Sequence, residues 1–193
     1  MKINPGKNPA PDSWKDVLFR GAGHIVARLR EDGHEAYFAG GCVRDMLLHR
    51  ESPDIDIATS ACPEEVTALF PKVIPVGLKY GVVALPIDGL LFEITTFRQD
   101  HVYADGRHPE HVEFTNAEAD AQRRDFTVNG LFYDPQSDRI LDFVDGLTDL
   151  HARLIKAIGR PTDRFSEDHL RMLRAVRFAS VLDFTIEPAT LEA

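Results

Sequence analysis

The sequence predicts an α/β fold that gives way to helix towards its C-terminal end. Three observations predict it. From Ala36 onward short apolar runs alternate with segments of helical periodicity. Three apolar runs then follow one another with no helix between them, and beyond Gly146 the spacing turns helical.

In chain order, Trp14, Val17, Leu18, Ile25, Val26 and Leu29 recur at near-helical spacing, which places one amphipathic helix from Ser13 to about Glu31. AYFA reads as a strand followed by the helix CVRDMLLH, and DIDIA as a strand followed by the helix PEEVTALF. KVIPVG, GVVALPI and LLFEITTF read as antiparallel neighbours. Residues 98–110, RQDHVYADGRHPE, are polar and carry Gly and Pro, so a mobile loop is expected there. A short strand, HVEF, precedes a charged helical segment, AEADAQRRDFTVNGL, and a turn at DPQSD leads into RILDFVD. TDLHARL and SEDHLRMLRAVRFA are helical, and a domain boundary is expected between residues 145 and 160. A further helix begins after Pro188 just as the chain stops, the pattern of a fragment, and no internal repeat is present.

Composition narrows the function. With 193 residues, 44% of them hydrophobic and 27% charged, the chain is long enough for one core or for a domain with an appendage. A formal net charge of −9 excludes a surface given over to phosphate binding, so any RNA contact has to be local. No apolar stretch reaches the roughly 18 to 20 residues that span a bilayer, and MKINPGKNPAPDS lacks the apolar core of a signal peptide. A cytoplasmic protein with no membrane partner is expected. Cys42 and Cys62 form no CxxC pair and cannot make a zinc site alone, so reduced thiols are expected. The absence of GxxxxGK[ST] argues against a P-loop ATPase.

Five segments carry chemistry. Asp54 and Asp56 in PDIDIA alternate, and the two-residue period of a strand turns both carboxylates to one face, where they can share a hard cation such as Mg²⁺. Taken alone, such a pair is more often a solvated strand edge. Gly40 and Gly41 open GGCVRD between a strand and a helix, where glycine lets backbone approach a phosphate and Arg44 adds a charged donor. The two acids follow this turn after one short helix, which lets a phosphate cradle and metal ligands meet at adjacent strand ends. Glu93 is an acid in an apolar and Thr-rich strand; it faces either the metals or a partner arginine, and as a third carboxylate it is a candidate ligand or base. In RRDFTVN, Arg124 and Asp125 are adjacent and Asn129 lies one helical turn beyond Asp125, a cluster suited to a triphosphate or ribose. Asp168, Arg171, Arg174 and Arg177 recur every three residues in SEDHLRMLRAVRF, a charged stripe whose donors and acceptors can imitate a Watson–Crick edge.

GGCVRD, DID, RRDFTVNGL, FVDGLTDL and EDHLR with its following arginines, in this order from about Ala36 to Phe178, resemble the class II branch of the nucleotidyltransferase superfamily. That branch holds tRNA CCA-adding enzymes, separate CC-adding and A-adding enzymes, and bacterial poly(A) polymerases. The resemblance implies a polymerase beta-like nucleotidyltransferase head over residues 1–148, with a mixed, largely antiparallel sheet flanked by helices. An α-helical neck would begin over 149–193. It further implies Mg²⁺ at Asp54 and Asp56, and nucleotide contacts from Gly41, Arg44 and Arg124. Asp168 and Arg171 would read the base of CTP or ATP, with Glu167 orienting them and Arg174 and Arg177 reinforcing the site. FVDGLTDL would be the hinge between head and neck, and residues 98–114 the flexible loop implicated in the switch to A addition. The sequence departs from the family pattern at Gly130, where alanine is frequent, and at His108, where arginine is common. Family members continue into helical body and tail domains that grip tRNA, so a chain ending at Ala193 is expected to bind nucleotide yet hold tRNA poorly.

The resulting expectation is template-independent transfer of CMP or AMP to an RNA 3′ end, with CCA addition to tRNA as the leading case, by in-line attack on the α-phosphorus at a two-metal site. Poly(A) addition, CC-only or A-only addition, and a non-catalytic nucleotide-binding module are the alternatives. The oligomeric state is left open.

Overall fold

The computed structural model describes residues 14–101 and 110–193. The chain runs α1 (Trp14–Glu31), β1 (Ala36–Ala39), α2 (Gly41–Leu47), β2 (Asp56–Thr59), α3 (Pro63–Leu69), β3 (Ile74–Gly77), β4 (Val82–Ile87) and β5 (Leu90–Thr96). It continues with β6 (Arg98–His101), β7 (His111–Phe114), α4 (Ala117–Gln122), β8 (Leu131–Asp134), β9 (Arg139–Asp142) and α5 (Gly146–Ala152). Last come β10 (Leu154–Ile155), α6 (Pro161–Glu167), α7 (Leu170–Leu182), β11 (Thr185–Ile186) and α8 (Pro188–Glu192). Seven strands form one sheet in the order β3-β4-β5-β2-β1-β8-β9. Within this sheet only β2 and β5 run parallel; every other neighbouring pair in it is antiparallel, as a mixed, largely antiparallel sheet requires.

Strand alternation gives the sheet two unlike faces. On one, the register aligns Tyr133, Phe38, Ile57, Ile94 and Val83 across five strands. These side chains belong to the main core, together with Leu18, Ala22, Ile25, Val26 and Leu29 from the apolar stripe of α1. The other face aligns Phe132, Ala39 and Asp56, with Glu93 beside Asp56, then Ala84 and Ile74. Around Phe132 and Ala39 this face is a second apolar cluster with Ala58, Phe97, Ala117 and Ala121, the last two from α4. Towards Asp56 this cluster ends among the described residues, and the candidate site residues stand there.

Several sequence expectations change. The stretch expected to be a loop begins with a strand, because β6 pairs residue by residue with β7, from Arg98 with Phe114 to His101 with His111, and partners that far along the chain leave no mark on local polarity. Residues 102–109, with His108 and the expected mobility, lie outside the described residues. The charged helix stops at Gln122: Asp125 accepts a hydrogen bond from the backbone N–H of Phe126 at 2.8 Å, Phe126 bridges Ala157, and Thr127–Asn129 form a 3₁₀ turn. This frees Leu131–Asp134 to be a strand beside β1, an element absent from the sequence reading. The Asp168–Arg177 stripe is not one helix, since Asp168 is extended (φ −142°) between α6 and α7 and its carboxylate accepts from the N–H of Leu170 at 2.9 Å, which starts the second helix. Cys42 and Cys62 are free thiols, as expected. Among the described residues no helix is long and apolar enough to cross a membrane.

Helix α5 meets the 3₁₀ turn so closely that its first residue has no room for a side chain: a Cβ on Gly146 would collide with the carbonyl oxygen of Thr127 and stand 2.9 Å from Leu131. Gly23, in α1, has nothing within 4 Å of that position. Gly146→Ala should therefore cost about 1–3 kcal/mol, whereas Gly23→Ala should gain up to about 1 kcal/mol by restricting the unfolded chain. Urea denaturation of the two variants checks the contrast, and equal stabilities would refute it.

Candidate functional site

A cleft of about 500 Å³ opens between the N-terminal end of β2, the turn into α2, the α4–β8 connection and the start of α7. Asp54 and Asp56 form one lip. Ile55 between them is buried at 7% exposure while both acids are open to solvent, so the alternation turns the two carboxylates to the same side. Asp54 lies two residues before the assigned strand rather than on it, and its carbonyl accepts from the Ser52 hydroxyl at 2.9 Å. The Asp56 carboxyl is pushed up to about 6, by the protein packed around it first and then by the charges of Asp54 and Glu93, with Arg124 opposing. Glu93 stands beside Asp56 in the register but does not line the cleft. Among the described residues no group of three or more His, Cys, Asp or Glu side chains converges on one point. The donor set is thus a pair of hard carboxylate oxygens, which fits a divalent cation that completes its shell with water and phosphate.

The opposite wall begins at the glycine turn. Gly40 has φ +77°, a left-handed value that a side chain disfavours, and Arg124 Nη1 sits 2.9 Å from where its Cβ would be. Gly40 is thereby pressed against a guanidinium. Arg44, on the next turn, is buried at 7% exposure. It pairs with both oxygens of Asp45 at 3.0 Å and donates to Asn129 Oδ1 at 2.6 Å. Asn129 donates in turn to Asp125 Oδ1 at 3.0 Å, and Asp125 Oδ2 receives Arg174 Nε at 2.7 Å and Nη2 at 2.6 Å. The Asp125–Asn129 contact expected from a helical turn exists, but a 3₁₀ turn makes it. Both ends of the Asn129 amide are engaged within the protein, so the residue is a strut between the glycine turn and α7.

Among the described residues each cleft arginine but Arg177 is tethered by an acid, Arg123 and Arg124 sharing Asp120. Arg124 is held by Asp120 at 2.9 Å, Arg44 by Asp45, Arg174 by Asp125, and Arg171 by Glu167 at 2.7 Å. Arg171 also donates to the carbonyl of Arg123 at 3.2 Å, which fixes its guanidinium against the α4–β8 connection. Glu167 thus orients Arg171 by direct contact, while Asp168 lies on the cleft wall from the break between helices. Arg177 has no acidic partner among the described residues. Its guanidinium, with those of Arg44 and Arg174, lies about 5 Å from the Phe178 ring. These tethers keep like charges apart without ligand, so the cleft does not close on its own carboxylates.

The structure brings together Gly40, Gly41, Arg44, Asp54, Asp56, Arg124, Asp125, Asn129, Asp168, Arg171, Arg174 and Arg177 around the one cleft; Glu167 supports it from behind, and Glu93 stands outside. Sequence reasoning missed Asp120, which is fully buried and holds both Arg123 at 2.8 Å and Arg124. Its spacing of three and four residues before those arginines was a legible helical signal. Phe178, buried between three guanidinium groups, was read only as core. The Cys42 thiol beside Asp56 is pushed up to about 12, by burial first and then by the Asp56 charge, and stays protonated.

Residues 36–156 match the family described as the Poly A polymerase head domain. The CCA-adding enzyme of Limosilactobacillus reuteri is 49% identical over 177 residues, covering 91% of this chain and 44% of the relative. That of Oceanobacillus iheyensis is 51% identical over 176 residues, again 91% and 44%. Among solved structures, the Bacillus stearothermophilus CCA-adding enzyme in complex with CTP is 44% identical with a TM-score of 0.82, over 90% of this chain and 42% of that one. A tRNA nucleotidyltransferase complexed with a primer tRNA and an incoming ATP analog is 30% identical with a TM-score of 0.72, over 87% and 48%. The chain spans under half the length of the curated relatives it matches.

Burial raises the proton affinity of Asp120, but Arg124 and Arg123 outweigh it and hold the carboxyl below its usual range. A carboxyl lowered in the folded state contributes stability that is complete above its unfolded value, about 4, and is lost as pH falls below it. Asp120→Asn removes the acid that holds Arg124 and one of the two acids that hold Arg123, and should cost roughly 3–5 kcal/mol at neutral pH. Denaturant titrations from pH 7 to pH 3 should show that difference shrinking as pH falls. A difference independent of pH would refute the ionic account.

Proposed function

The chain belongs to the poly A polymerase head-domain family of nucleotidyltransferases, and on that premise we propose that it transfers CMP and AMP from CTP and ATP to the 3′ end of tRNA without a template. The carrying observation is the Asp54–Asp56 pair, on one face of one extended segment, at the lip of an arginine-lined cleft that starts at a glycine turn. The 44–51% identity to CCA-adding enzymes, two of whose relatives hold CTP or an ATP analog with primer tRNA, supports CTP, ATP and tRNA as the substrates. A tRNA substrate also suits a cytoplasmic protein.

In this reading the triphosphate lies along Gly40–Gly41, Arg44, Arg124, Arg174 and Arg177. The base reaches Asp168 and Arg171, whose position Glu167 fixes. A head domain over 1–148 and the start of a helical neck from 149 hold these two halves of the cleft. The 3′-hydroxyl oxygen of the RNA attacks the α-phosphorus, the new phosphodiester bond forms, and the bond to pyrophosphate breaks. Arg44 and Arg124, held in place beforehand, offset the charge that grows on the leaving pyrophosphate without reorganising. Glu93, outside the cleft and beside Asp56, is placed to accept the proton of the attacking hydroxyl. Nucleotidyltransferases of this family use a divalent metal, and Asp54 and Asp56 would hold it, proposed here as Mg²⁺. When bound, it supplies Lewis-acid polarisation of the phosphoryl oxygens and lowers the proton affinity of the hydroxyl.

The full gene product, given tRNA ending before CCA with CTP and ATP singly and together, should stop after adding CCA. Long A tails from ATP alone would indicate poly(A) addition, and one-nucleotide-type products CC-only or A-only addition. Asp54→Ala and Asp56→Ala should each abolish incorporation with the fold intact; near-normal incorporation by both variants would defeat the assignment. Arg171→Ala should narrow the preference between CTP and ATP by the value of one base-reading contact, about 5- to 150-fold. Unchanged relative rates would remove Arg171 from that role.

A further inference from the structure

Among the described residues, no helix covers the half of the catalytic sheet face that lies beyond Glu93, although Ala84 within it is itself buried. Ile74, Ala84 and Glu93 are direct partners across β3, β4 and β5, and Glu93 stands beside Asp56, so all four side chains project to the same side. One step nearer the strand ends, Pro86 and Leu91 are partners on that same side. On the other side of the acids this face is sealed by α4 over Phe132, Ala39 and Ala58. On the β3–β5 side it is open: Leu91 is 60% exposed, Ile74 48%, and Pro86 is exposed too. Lone exposed apolar side chains are ordinary, but a contiguous apolar patch next to catalytic acids marks a contact surface.

Stereochemistry says what that surface meets. The arginines that suit a triphosphate all line the cleft on the α2 and α7 side of Asp54 and Asp56, and no residue of β3, β4 or β5 lines it. An in-line displacement requires the nucleophile to arrive opposite the leaving group. If pyrophosphate departs into the arginine cleft, the accepting hydroxyl has to approach across the acids from the β4–β5 side. That approach runs over Glu93, Leu91 and Pro86. The patch is therefore continuous with the reaction site on the one side where a second substrate is needed. Among the described residues, β3, β4 and β5 contribute no arginine to it, and beside Glu93 its exposed side chains are Ile74, Pro86 and Leu91; such apolar area suits the face of an unpaired nucleobase and is indifferent to its identity. Such indifference is what an enzyme needs if the terminal nucleotide it extends changes at every step.

Resting on the nucleotidyltransferase reading above, we propose that Ile74, Pro86 and Leu91 form the seat for the terminal nucleoside of the accepting RNA, aiming its 3′-hydroxyl past Glu93 at Asp54 and Asp56. The residues are positioning groups for the acceptor and take no part in binding CTP or ATP.

The test uses the full gene product with tRNA lacking CCA. Leu91→Ser and the double variant Ile74→Ser/Leu91→Ser should raise KM for the tRNA about 5- to 150-fold, the value of one lost stacking contact, while KM for CTP and equilibrium binding of Mg²⁺–CTP stay within twofold. Leu91→Met, which keeps the apolar area, should restore the tRNA KM. Independently of any variant, a tRNA carrying 4-thiouridine as its 3′-terminal nucleotide should crosslink on irradiation to residues 74–93. An unchanged tRNA KM, or crosslinks confined to α2 or α7, would overturn the proposal. So would conversion of a dimer to monomers by Leu91→Ser with tRNA KM unaltered, which would make the face a contact between copies. Failure of the unaltered protein to extend any RNA would sink the parent reading and this inference together, whereas normal extension with indifferent variants would sink this inference alone.

Discussion

Two carboxylates, Asp54 and Asp56, share one edge of the sheet with Glu93 beside them, and the rest of the site is arranged around keeping that negative edge free for a cation. Asp54 and Asp56 are forced to one side by the two-residue period of extended chain, because Ile55 between them is committed to the core. Glu93 joins them through the parallel pairing of β2 with β5. Burial first, and then the charges of Asp54 and Glu93, drive the Asp56 carboxyl upward, so the edge favours any cation that reaches it. The nearest cations are arginines of the same protein, and a salt bridge from one of them would quench the site.

The tethers answer that difficulty. Asp45 and Asp125 each hold one guanidinium, Asp120 holds those of Arg123 and Arg124, and Glu167 those of Arg164 and Arg171, so the cleft arginines Arg44, Arg124, Arg174 and Arg171 are fixed at the cleft wall. This also reconciles a chain of formal charge −9 with the anionic substrate proposed for it, since much of the acid near the cleft is spent on positioning arginines. Asn129 and Asp125 carry the arrangement from the glycine turn to α7, which joins the proposed phosphate and base ends of the cleft by three hydrogen-bonded links. Donors fixed before the substrate arrives need not reorganise during the reaction.

Most of the fold was legible because its elements repeat apolar residues at clean periods: α1, the β3–β4–β5 meander and the helices after Gly146 are written in that spacing. What was illegible depended on partners distant in sequence. Strand β6 is polar and exists through pairing with β7, and β8 exists because the chain leaves its helix at Gln122, where buried Phe126 has to reach Ala157. The site divides the same way. Asp54, Asp56 and the glycine turn announce themselves by local spacing. Asp120 and Phe178 acquire their roles from the arginines that fold onto them, and Asn129 turned from a candidate ligand into a strut once both ends of its amide were accounted for. The break at Asp168 escaped the three-residue spacing because one capping carboxylate interrupts a pattern that side-chain type alone carries through.

The central claim is that Asp54 and Asp56 jointly hold a divalent cation within reach of phosphates lying at the glycine turn. Paramagnetic broadening of the ³¹P resonances of bound CTP by substoichiometric Mn²⁺ measures that proximity without requiring turnover. The account predicts strong broadening of the α-phosphate signal in the unaltered protein and its loss in Asp54→Asn/Asp56→Asn, with CTP still bound. Equal broadening in both proteins would place the cation elsewhere and contradict the account.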